Sequence, residues 1–159
     1  ATVAFGGEPH RIVWSDSQSR RVRRLEGAEG HELHLGGPEE LVGQRIVRWM
    51  RDEARPVFSG DISEYCSKAG ETPPQLAIGD PRSRWGSCSS RGTISLSWRL
   101  IMAPAHVRRS VIAHEVAHMR HMDHSAAFYS WLEELFEGDR KAADRWLKAH
   151  GSALQLVGR

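Results

Sequence analysis

Cysteine is scarce in this chain: only Cys66 and Cys88 occur among 159 residues, outside any C-x-x-C pattern. That excludes a disulfide-stapled secreted scaffold and fits a reducing compartment, so the expected location is the cytoplasm. The two thiols read as small buried hydrophobes. Long apolar runs are missing as well. None approaches the ~20 residues of a membrane span, and none resembles a signal-peptide core. Charge of one sign is lacking too: 22 basic residues face 20 acidic ones, for a net charge of +2. The whole-molecule field therefore does not announce a nucleic-acid binder. One local asymmetry remains. Arg11, Arg20, Arg21, Arg23 and Arg24 are opposed nearby only by Asp16 and Glu26. Such a cluster reads either as a weak phosphate-contacting patch or as solvated strand edges.

No internal repeat or low-complexity segment interrupts the chain, and its length points to one domain with a core of its own. Residues 1–10 read as a disordered leader, and residues 11–159 as a single domain. Within it, 11–37 carry short mixed stretches separated by Ser- and Gly-containing turns, a small antiparallel set of strands. Pro38 with Glu39 and Glu40 opens a helical segment over 38–70. Pro56 is expected to kink or interrupt that helix, and Gly70 to close it.

The catalytic core is expected over 75–150. Between Thr93 and Leu100, Ile94, Leu96, Trp98 and Leu100 alternate with Thr93, Ser95, Ser97 and Arg99, the period of a strand with one buried face. A hairpin turning near Arg91-Gly92 joins it to the Trp85-Gly86 stretch. Three helices follow. One begins near Pro104; one follows His124-Ser125 and stops at Gly138; one runs from an Asp139 cap to Gly151. Strands first and helices after give an α+β class.

His114-Glu115-Val116-Ala117-His118 is H-E-x-x-H inside a helical pattern. Residues i and i+4 stand one above the other, so two imidazoles can converge on one ion. Glu115 lies ~100° around the helix, placed to take a proton from a water rather than to ligate. A catalytic zinc needs a third protein ligand, and the candidates are His121, Asp123, His124, Glu133, Glu134 and Glu137. A helix continued to His121 would set it about 10.5 Å along the axis from His114, too far for a common centre. The chain must therefore turn after His118. His124 is then best placed, with Glu134 or Glu133 as the fallback. The motif lies on the more polar side of its helix, away from the stripe of Ile112, Val116 and Met119.

The run from Ser83 to Phe128 carries RWGSC, a following W-R-L, the HExxH helix and H-S-x-x-F. With these it resembles the YgjP-like metal-dependent hydrolases, bacterial relatives of the SprT-like and WLM zinc peptidases. The resemblance implies a compact zincin-like fold, with a small sheet packed on the active-site helix. It also implies one Zn²⁺ held by His114, His118 and His124, with Glu115 as general base and a peptide or unfolded protein segment as substrate. Arg84, Trp85, Gly86 and Tyr129 are candidates for substrate contact. Gly86 would let an extended peptide approach the edge strand. His121 is a candidate to steady a ligating imidazole through its other N–H. The competing readings are a zinc hydrolase of a non-peptide substrate, such as a nucleotide phosphoanhydride, and a DNA-associated zinc module. No oligomeric state follows from the sequence.

Overall fold

A computed structural model describes all 159 residues. The expected leader is instead folded. β1 (Thr2–Phe5) and β2 (Glu8–Trp14) pair antiparallel, with Phe5 opposite Glu8. Gly6 and Gly7 form the two-residue turn, both at positive φ (62° and 81°), the conformation a tight right-twisting hairpin needs. The turn is fastened by Gly6 N–H to Ile101 O (2.9 Å) and Gly7 N–H to Met102 O (2.8 Å). The Gly-Gly pair, which suggests a floppy segment, is the signature of that hairpin.

β3 (Arg23–Gly27) and β4 (Gly30–Leu35) complete a four-stranded sheet in the order β1-β2-β4-β3. The expected antiparallel set is in fact mixed, because β2 and β4 run parallel. After a short 3-10 turn at Glu39–Leu41 comes α1 (Val42–Ala69), with Gly70 at φ 73° closing it. Ile46, Met50, Ala54, Phe58, Ile62 and Cys66 form its buried stripe at a spacing of four. Pro56 does not break it. Both Pro56 and Asp52, whose carbonyl loses its partner, face solvent, where water replaces the missing hydrogen bond.

The second sheet has the order β5-β7-β6, with β5 (Gln75–Gly79), β6 (Gly86–Cys88) and β7 (Thr93–Ser97). It too is mixed: β5 runs parallel to β7 and β6 antiparallel. The strand expected to reach Leu100 ends at Ser97, whose Oγ accepts the Arg99 N–H and starts a 3-10 turn over Trp98–Met102. That turn carries Arg99 inside rather than out to solvent (1% exposed). Three helices follow: α2 (Ala105–Ala117), α3 (Ala126–Leu135) and α4 (Arg140–Leu156). The last runs past Gly151 because that glycine is a packing position. A Cβ there would stand 3.1 Å from Trp85 Cζ2.

The architecture is α+β, as expected. A single set of buried apolar side chains joins both sheets to all four helices, including Leu33, Met50, Leu96, Val116, Leu132 and Leu154. A charged lattice fixes α1 against α2. Arg108 and Arg109 both bond Asp61, and Arg109 also bonds Glu64. No helix is long and apolar enough to cross a membrane.

Candidate metal centre and its cleft

α2 ends where the third-ligand argument requires. His118 is its C-cap, and the next residues bond in a tight turn (Met119 N–H to Val116 O, 3.0 Å; Arg120 N–H to Ala117 O, 3.1 Å). The chain then reverses through His121–His124. Ser125 caps α3 by accepting the Phe128 N–H at 3.2 Å, and Asp123 Oδ1 accepts the Ser125 N–H at 3.3 Å.

This reversal brings three imidazoles to one point. The Nε2 atoms of His114, His118 and His124 form a triangle with sides of 3.2, 3.2 and 3.3 Å. Three nitrogens held at about 2.0–2.1 Å from one tetrahedral centre stand about 3.3 Å apart. The tautomer of His118 follows from its other nitrogen. Nδ1 lies 2.9 Å from the His121 carbonyl and must donate to it, so Nε2 presents a bare lone pair to the centre. Three imidazoles focused on one point can pair only in part through their ring N–H groups, whereas a cation takes a lone pair from each. The residues therefore fit a single metal ion.

Phe128 is the common floor. Its ring, fully buried, stacks on His118 (4.4 Å, 24°) and meets His114 and His124 edge-on at 4.9 and 5.3 Å. Burial, then the neighbouring side chains of His118, His124 and Arg140, push the His114 imidazole down to about 4.

Glu115 points the other way, toward β6. It is 6% exposed and makes no hydrogen bond within the protein. Burial pushes its carboxyl up to about 7, against the opposing pull of Arg84. Gly86 makes its room: a Cβ at 86 would lie 3.1 Å from Glu115 Oε2 and 3.0 Å from Leu96 Cδ2. β6 is the outer strand of its sheet, so its far edge is unpaired beside this carboxylate.

A cavity of about 230 Å³ opens beside His114 and Glu115, with Trp85, Gly86 and Tyr129 on its walls. Arg84 is exposed and lines a neighbouring depression with Asp80, Ser87 and Gly86, the last of which also lines the first cavity. The other expected ligands lie elsewhere. Glu133 and Glu134 face solvent, Glu137 accepts from Tyr65 (2.7 Å) and Arg109, and Asp123 is spent on Ser125. The His121 imidazole takes no part; its backbone carbonyl does. Arg140 went unread in the sequence. It lines the cavity, lies 4.8 Å from the Tyr129 ring centre, and keeps a buried Nε with no partner. No local pattern marks it, because α4 reaches the cleft only through tertiary packing.

A family model described as YgjP-like, metallopeptidase domain, matches residues 1–150. A search of curated proteins returned no match. Among solved structures, the metallopeptidase zymogen of Pyrococcus abyssi abylysin superposes with a TM-score of 0.52 at 22% identity. The alignment covers 58% of this chain and 93% of that one, and at such identity the likeness is one of fold.

Proposed function

The chain belongs to the YgjP-like metallopeptidase domain family, and from that premise we propose a zinc-dependent peptidase with Glu115 as general base. The observation that carries the proposal is the Nε2 triangle of His114, His118 and His124. Three imidazoles with no fourth protein ligand leave one position open, the pattern of a catalytic rather than a structural zinc. An all-nitrogen, tetrahedral donor set suits zinc among the common divalent metals. When bound there, the ion supplies a Lewis acid that acidifies water and polarises a carbonyl.

The chain's own residues do the rest. An extended peptide lies along the free edge of β6, held by main-chain hydrogen bonds that Gly86 to Cys88 offer. Glu115, with its proton affinity set near neutrality by burial, takes a proton from the attacking water. It then delivers that proton to the departing amine, so the carboxylate is regenerated each turn. Tyr129 and Arg140, on the cavity wall by His114, donate toward the carbonyl oxygen or the substrate's flanking groups. The His121 carbonyl keeps His118 in its ligating tautomer.

The test is a metal-dependent cleavage screen over unfolded polypeptides and short peptides. Glu115→Gln should keep its metal and lose about 10³-fold or more in turnover, a loss typical of removing a general base. Hydrolysis at the wild-type rate in that variant overturns the assignment.

A further inference from the structure

A second, larger cavity lies away from the histidines. It is a groove of about 720 Å³ between the β2–β3 connection and the N-terminal part of α1. Arg20 and Arg21 line it from the connection, and Arg45 and Arg48 from the helix. Its volume is in the range of sites that hold small-molecule ligands.

Most arginines outside the groove have partners within the chain. Arg11, Arg24, Arg99, Arg108, Arg109 and Arg159 each meet a carboxylate. None of the four groove guanidinium groups makes a hydrogen bond or an ion pair, although Asp52 and Glu53 line the same groove. The Nε of Arg45 is buried without a partner. Gly37, at φ 83°, is the bare spot both stems lie against. A Cβ there would stand 3.1 Å from Arg20 Cγ and 3.4 Å from Arg45 Cζ. Like charges gathered over one backbone position repel unless an anion sits among them. Leu41 and Gln44 complete the wall of the groove at the start of α1.

Guanidinium forks match phosphate oxygens, and four cations outnumber the two carboxylates. Trp49, half-buried and packed on Phe5 at 4.8 Å, is the one aromatic ring lining the groove, and an aromatic beside unpaired guanidinium groups favours nucleotides over an acidic peptide. We propose that this groove binds consecutive phosphates of a nucleotide chain, the chemistry shared by a single-stranded nucleic acid and a nucleoside triphosphate. The site is separate from the histidine centre and stands independently of the peptidase reading.

A labelled oligothymidylate is titrated onto the full chain by fluorescence anisotropy at several salt concentrations. Arg45→Glu with Arg48→Glu should weaken binding at least about tenfold and flatten the salt slope by about 1.4, roughly 0.7 for each phosphate no longer neutralised. Arg20→Glu with Arg21→Glu, on the connection rather than the helix, should give the same loss in protein whose circular dichroism is unchanged. Inorganic triphosphate then distinguishes the sources. Displacement at concentrations near the oligonucleotide's own assigns the groove to a short phosphate chain, and failure to displace assigns it to a strand. Absence of binding by the wild-type protein, or wild-type affinity and slope in both double variants, overturns the proposal.

Discussion

Around Arg99, every guanidinium nitrogen is answered from within the protein. Nε and Nη2 bond Asp80 at 2.8 and 3.2 Å, and Nη1 bonds the carbonyls of Leu154 and Val157, both at 2.6 Å. Around His114, His118 and His124 the reverse holds: three ring nitrogens face only one another, and no carboxylate, carbonyl or hydroxyl of the chain meets them. Both clusters sit against the same core. A closed set of donors and acceptors ties the end of α4 to β5 and the 3-10 turn, and that is architecture. An open set with a shared focus is a place for something else. The contrast also separates Glu115, buried with no partner, from Asp80, whose carboxyl Arg99 holds below the usual range.

Breaking the closed cluster should cost the most stability. Arg99→Ala leaves Asp80 with only the more exposed Arg159 and strips two carbonyls of their donor, and should lower unfolding free energy by about 2–4 kcal/mol. Urea denaturation measures it. A loss under about 1 kcal/mol would mean that the two clusters are not so different.

The open cluster should announce itself through pH. In the metal-free protein Glu115 has a folded proton affinity raised from 4.5 to about 7. Folding therefore favours its neutral form, a contribution fully present below about pH 4.5 and lost as pH rises through about 7. The integrated loss is about 3 kcal/mol at most. His114 works on the opposite side. Its folded value falls from 6.5 to about 4, so its contribution is present above pH 6.5 and lost as pH falls toward 4. Glu115→Gln should remove only the alkaline-side loss. Chelated variant and wild type should differ in stability at about pH 8 and agree near pH 4.5, and equal stability at about pH 8 would contradict the burial of a lone carboxylate.

The smallest structural effect is expected at the most consequential residue. His124 is exposed, so His124→Ala in chelated protein should shift stability by no more than about 0.5 kcal/mol. The same change should abolish cleavage. Thermal melts of the chelated protein, run beside the peptide assay, test both halves.

What could be read from the chain follows from how local each feature is. The i, i+4 pair His114/His118 and the base between them need only helical spacing. The turn that delivers His124 follows from helix length and the Ser125 cap. The alternation of Ile94 and Leu96 needs only a pleat. Other features depend on partners distant in sequence. Arg99 looks like the solvent side of a strand until Asp80 and α4 arrive around it. Gly151 looks like a helix stop until Trp85 fills the space beside it. Pro56 looks like a break until the carbonyl it orphans proves to face water. The Gly6-Gly7 pair looks like a floppy leader until the short strands beside it are fixed by the parallel contact of β2 with β4 and by Ile101 and Met102. Arg140 and the arginine groove arise from packing alone.

The most direct test of the open cluster is a zinc titration of chelated wild-type, Glu115→Gln and His124→Ala proteins, followed by metal content per chain. One equivalent should bind the first two with matching affinity, and His124→Ala should bind at least about 100-fold more weakly. Wild-type affinity in His124→Ala, or no zinc bound by the wild-type chain, would contradict the three-histidine centre.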